Sequence, residues 1–116
     1  MDILTLELPW PPSVNHYWIQ TGNRKCLSPY GRTYRTKCYE SFAKSRHAGF
    51  SDNKVKMTIS VYPPDRRRRD LDNLIKGIMD GLQYCGTYTD DNQVDDLRIL
   101  RMPEKLNKVV VSIQCL

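Results

Sequence analysis

The fold is decided by the stretch LDNLIKGIMDGL, residues 71–82, which has the most regular apolar pattern in the chain. Its apolar residues recur at spacings of three and four, as they do on one face of an α-helix. They are Leu71, Leu74, Ile75, Ile78, Met79 and Leu82. The pattern predicts an amphipathic helix with one face in the core, ending at Gly86 because glycine commonly terminates helices.

Alternating apolar and polar residues elsewhere predict strands that pack against this helix. The predicted strands cover residues 3–8, 54–62, 97–102 and 109–114, and a second helix covers residues 31–47. Residues 9–31 begin with Pro9-Trp10-Pro11-Pro12 and are predicted to form a long loop, because proline lacks the donor that a strand needs. The predicted order is β-α-β-α-β-β, an α+β domain spanning residues 1–116 with helices packed on a mixed sheet.

The composition favours a partner that carries negative charge. The chain has 18 Lys and Arg against 13 Asp and Glu, a formal net charge of +5, as nucleic-acid-binding proteins often have. It shows neither a signal peptide nor the roughly 20 apolar residues of a membrane span, so we expect a cytoplasmic protein without a membrane partner. Four cysteines without a Cys-x-x-Cys pair indicate free thiols rather than a zinc site.

Four arginines, Arg66–Arg69, run directly into Asp70 and Asp72 at the start of the predicted helix. Guanidinium groups bind phosphate oxygens, and clustered carboxylates bind magnesium. The combination predicts a metal-dependent enzyme that acts on a phosphate backbone. Helix capping is the structural alternative. Capping accounts well for one of the two aspartates and less well for both together.

A second acidic group, Asp90 and Asp91, follows the helix. These residues could simply be solvated turn residues, which Asp favours. The spacing does not match a calcium-binding EF-hand loop. Magnesium binding by Asp70, Asp72 and one of Asp90 or Asp91 is therefore a hypothesis that spacing alone leaves open.

Taken together, residues 8–15, 65–74 and 90–94, which read LPWPPSVN, DRRRRDLDNL and DDNQV, resemble the RusA family of Holliday-junction resolvases. The resemblance spans nearly the whole chain. It implies a homodimeric endonuclease that binds four-way DNA junctions and cuts them in pairs, with Mg²⁺ or Mn²⁺, in DNA recombination and repair. It also implies a protein at the nucleoid, encoded by a cell, a phage or a prophage.

The resemblance also implies roles for individual residues. The family's catalytic carboxylates fall on Asp70, Asp72 and Asp91, with Asp90 beside them as a further metal ligand, and its catalytic lysine falls on Lys76. Arg66, Arg67, Arg68 and Arg69 match its DNA-binding segment. The alternative is a non-catalytic basic module that binds branched DNA. An enzyme acting on small phosphorylated substrates is disfavoured, because the chain lacks a Gly-x-x-x-x-Gly-Lys loop.

Overall fold

A four-stranded mixed sheet organises the protein, seen in a computed structural model that describes residues 2–116. In chain order the elements are β1 (Ile3–Pro9), α1 (Val14–Tyr17), β2 (Trp18–Thr21), β3 (Arg24–Leu27), α2 (Pro29–Ser45), β4 (Val55–Tyr62), α3 (Asp72–Tyr84), a 3₁₀ turn (Asp91–Gln93), β5 (Val94–Arg101) and β6 (Lys108–Cys115). The main sheet has the order β1-β6-β4-β5, with β4 and β5 parallel and the other neighbours antiparallel. The predicted α+β class and mixed sheet are confirmed.

The alternation seen in the sequence places one face of the sheet in the core. Every second residue of β1, β4 and β6 is buried, because successive side chains of a strand point to opposite faces. On α3, the buried apolar side chains are Leu74, Ile78 and Leu82. They share a single core with the strands and with Tyr34 and Cys38 of α2.

Two glycines let α3 approach its neighbours closely. A Cβ atom built on Gly81 would lie 2.6 Å from Sγ of Cys38, and one on Gly77 would lie 3.0 Å from the ring of Tyr17. Neither position has room for a side chain without movement of its neighbour. These contacts fix α3 against α1 and α2. The Cys38 thiol is buried at this helix contact, and its burial raises its pKa to about 12.

The prediction of a long loop over residues 9–31 was wrong. This segment contains α1 and the hairpin β2–β3, and α2 begins at Pro29. The predicted β-α-β-α-β-β order therefore omits these three short elements, as well as the 3₁₀ turn Asp91–Gln93. The start of α2 follows from Ser28, whose Oγ accepts a hydrogen bond from the backbone N–H of Gly31 at 3.1 Å, with proline at the first helical position. Serine before proline is a helix-start signal.

The strand β5 begins at Val94, three residues before its predicted start. The helices of residues 2–116 are all too short or too polar to cross a bilayer. All four cysteines are free thiols, as the sequence predicts.

Candidate active site

The candidate site residues are distributed around α3, which joins the parallel strands β4 and β5. A helix that joins two parallel strands runs from the C-terminal end of the first strand back to the N-terminal end of the second. The loop before α3, with Asp70, therefore lies where β4 ends, and the loop after it, with Asp90 and Asp91, lies where β5 begins. Asp72, Lys76 and Asp80 follow one side of the helix at intervals of one turn. Asp72 and Asp80 are about 12 Å apart along the axis, so Lys76 lies between the two acidic groups.

The loop before α3 is held in place by its own charged groups. Asp65 accepts hydrogen bonds from the guanidinium of Arg69 and the backbone N–H of Arg67, both at 2.8 Å. These two bonds lower the pKa of the Asp65 carboxyl to about 2. The Arg69 guanidinium lies 5.6 Å from the centre of the Trp10 ring, and Arg101 donates a hydrogen bond to the Arg69 carbonyl. The backbone that leads into Asp70 is thus anchored on both sides.

Two hollows of about 380 Å³ and 560 Å³ flank this loop, and Trp10, Asp70 and the arginines Arg67–Arg69 line both. The side chains of Arg66 and Arg68 make no ion pair within residues 2–116 and are exposed. Unpaired guanidinium groups next to a concave surface can bind phosphate oxygens.

Asp91 is the half-buried carboxylate of the site. Its Oδ1 accepts a hydrogen bond from the Tyr88 hydroxyl at 2.7 Å, and its backbone N–H donates to Oε1 of Gln83 on α3 at 3.1 Å. Burial raises the pKa of the Asp91 carboxyl. The charges of Asp80 and Asp90 raise it further, against the opposing effects of the Tyr88 hydrogen bond and the Lys76 ammonium. Asp91 therefore lies within electrostatic reach of Lys76.

Gln93 holds the acidic loop in place, a role that the sequence analysis missed. Its side-chain oxygen accepts hydrogen bonds from the backbone of Thr89 and Asp90 at 2.8 and 2.7 Å. Its amide nitrogen donates to the carbonyls of Ser51 and Asn53 at 2.7 and 2.8 Å. The side chain is 5% exposed. The available signal was the spacing Asp90-x-x-Gln93, which is that of a capping box.

Asp80 forms an ion pair that the sequence did not indicate. Its carboxylate accepts two hydrogen bonds from Arg35 of α2, at 2.8 and 3.0 Å, and one from the Tyr17 hydroxyl. The Arg35 guanidinium also lies 4.9 Å from the centre of the Tyr84 ring. This network joins α1, α2 and α3 beside the acidic loop. The Asp80 carboxylate is therefore occupied by structural hydrogen bonds.

The candidate metal ligands are spread along α3 rather than gathered at one point. Nowhere in residues 2–116 do three acidic, His or Cys side chains gather closely enough to form a metal-binding cluster. Magnesium does not require one, because it usually keeps several waters and binds one or two carboxylates together with substrate phosphates. The oxygen donors of Asp70, Asp72, Asp90 and Asp91 suit this cation chemically, and their assignment as its ligands stays a prediction.

Comparison with known proteins agrees with the resemblance noted in the sequence. A family model described as "Endodeoxyribonuclease RusA" matches residues 9–114. The chain is 37% identical over 101 residues to a crossover junction endodeoxyribonuclease of Enterobacteria phage HK97, covering 87% of this chain and 84% of the relative. It is 39% identical over 103 residues to that of Escherichia coli strain K12, covering 89% and 86%, and 40% identical over the same length to that of Enterobacteria phage 82. The chain belongs to the RusA family of endodeoxyribonucleases.

Proposed function

We propose that this protein is an endodeoxyribonuclease that resolves four-way DNA junctions by paired, symmetric hydrolysis of phosphodiester bonds. The observation that carries the proposal is the arrangement around α3, where Lys76 lies between two acidic loops and the first loop carries the unpaired arginines Arg66 and Arg68. This arrangement offers cations for a phosphate backbone and oxygen ligands for a divalent ion within a fold whose relatives carry that enzyme name.

In the proposed mechanism, the side chains around α3 divide the work of phosphate binding and hydrolysis. Bound Mg²⁺, or Mn²⁺ in its place, would polarise the phosphate and lower the pKa of a water. Asp70 and Asp72 would supply oxygen ligands at one end of α3, and Asp91, with Asp90 as an additional ligand, would supply them at the other end, for one or two such ions. The Tyr88 hydroxyl binds Oδ1 of Asp91 and so orients the carboxylate.

The basic residues would act directly on the DNA. The Lys76 ammonium would stabilise negative charge that develops on the phosphate oxygens. Arg66–Arg69 would hold flanking phosphates, which fixes the position of the DNA more than it reads sequence. Cleavage therefore depends on groups at both ends of α3.

A homodimer is the second part of the proposal. A four-way junction has approximate two-fold symmetry, and two identical sites related by a two-fold axis can cut two strands symmetrically. Light scattering should give twice the 13.6 kDa chain mass. A monomer mass both with and without junction DNA would remove the paired-incision model.

The deciding experiment compares a labelled four-way junction with a linear duplex of the same sequence, each with and without Mg²⁺. Paired nicks restricted to the junction and to the Mg²⁺ samples support the proposal. Asp72→Asn should abolish them, whereas the matched control Asp52→Asn, at an exposed position in a different loop, should cut normally. Junction binding without any metal-dependent nicking would instead identify a non-catalytic binding module.

A further inference from the structure

The hairpin β2–β3 brings a second lysine close to Lys76. A hollow of about 170 Å³ is lined by Trp18 and Lys25 of the hairpin and by Lys76 of α3. A neighbouring hollow of about 330 Å³ runs along the hairpin and shares Trp18 and Lys25 with the first. The hairpin, which has no place in the main sheet, therefore forms one wall of a concave surface beside the candidate active site.

The smaller hollow is lined by hydrogen-bond donors and by no acceptor side chain. Neither Lys25 nor Lys76 pairs with a carboxylate of residues 2–116, and the Lys25 ammonium lies 5.5 Å from the centre of the Trp18 ring. Two unpaired ammonium groups around one small space repel each other.

An anion would relieve this repulsion, because its charged oxygens accept strong hydrogen bonds from both ammonium groups. We propose that the hollow between the β2–β3 hairpin and α3 binds one backbone phosphate of the DNA, held by Lys25 on one side and Lys76 on the other. The inference rests on the proposed function and deepens it. It gives the hairpin the role of a second DNA contact, separate from the arginine loop at the start of α3.

The first test measures how junction binding depends on salt, in EDTA so that no strand is cut. Each phosphate contact contributes about 0.9 to the slope of log K against log salt, so losing one weakens binding about eightfold at about 0.1 M salt. Lys25→Ala should lower the slope by that amount. The matched control is Lys44→Ala, which removes the same charge from an exposed lysine beside a different hollow, between α2 and β1. Equal slopes for the two variants would overturn the inference.

The second test observes the hollow directly, through the fluorescence of Trp18. The chain has two tryptophans, so Trp10→Phe leaves Trp18 as the only one. Its emission should change when junction DNA is added in EDTA, and the change should be lost on adding Lys25→Ala. An unchanged emission overturns the inference, as does a response to inorganic phosphate but not to DNA. Cleavage by the unmodified protein is measured in parallel with Mg²⁺, so that failure of the proposed nuclease activity is seen separately.

Discussion

Replacing Gln93 by alanine should destabilise the protein more than any other substitution of an uncharged polar residue in the acidic loop. The four hydrogen bonds of this buried side chain join the loop of Asp90 to the carbonyls of Ser51 and Asn53. At about 1 kcal/mol for each, the loss would be about 4 kcal/mol if none were replaced. Water can reach some of the freed backbone groups, because Ser51, Asn53, Thr89 and Asp90 are exposed residues. We therefore expect about 3 kcal/mol.

For a chain of this length, about 3 kcal/mol corresponds to a fall in melting temperature of about 12 °C. The matched control is Gln83→Ala, which removes one exposed hydrogen bond to the backbone of Asp91 and should cost under about 1 kcal/mol. Thermal melts of both variants in EDTA measure the difference. Melting temperatures of Gln93→Ala and Gln83→Ala within about 2 °C of each other would refute the reasoning. At a temperature where both variants are folded, Gln93→Ala should also cut junctions more slowly, because Asp90 and Asp91 lose their support.

Substitutions at three further positions have expected outcomes. Asp91→Asn should abolish junction cleavage while binding is kept or strengthened, since less negative charge faces the phosphates; cleavage at the normal rate would contradict this. The Asp91 pKa is raised in the folded state, so the ionised carboxylate destabilises the fold. In urea melts in EDTA, Asp91→Asn should therefore be more stable than wild type at neutral pH. This difference in stability should shrink as the pH falls to the ordinary pKa of Asp. The Asp65 pKa is shifted in the opposite direction, down to about 2, so the ionised Asp65 stabilises the fold. Wild type should therefore be more stable than Asp65→Asn at neutral pH, and this difference should be lost as the pH falls from about 4 to 2. A stability difference that does not vary with pH would exclude the ion pair as its source. Gly81→Ala should cost about 2 kcal/mol through the clash with Cys38, and adding Cys38→Ala should recover part of that loss in urea melts.

The elements with the clearest periodicity in the sequence, β4 and α3, are those whose periodicity reports burial in the core. Residues 55–62 alternate along the whole strand, and α3 carries an unbroken apolar stripe, so both patterns survive in the structure. The strands β2 and β3 have four residues each and are largely exposed. Their pairing is set by the local hairpin rather than by burial, and a burial pattern could not reveal it.

Some features of the candidate site likewise follow from local sequence patterns, and others do not. The positions of Asp72 and Lys76 along α3 follow from helix geometry, and the roles proposed for them and for Asp70 came from the family resemblance. The pairing of Arg35 with Asp80 joins residues 45 positions apart, and no local pattern encodes such a contact. The spacing of Lys25 from Lys76 depends on how the hairpin packs, which the sequence analysis did not foresee.

The helix α3 also works as a ruler, since its number of residues sets the distance between the two acidic loops. One residue inserted between Asp72 and Asp80 would lengthen the helix by about 1.5 Å and rotate everything beyond it by about 100°. Such a rotation would carry Asp80 away from Arg35 and move Lys76 relative to one of its acidic neighbours. The exposed loop at residues 103–106 faces no comparable limit, because loops absorb insertions at small cost. In chains that share this architecture, the number of residues between the positions of Asp72 and Asp80 should therefore vary far less than the length of that loop.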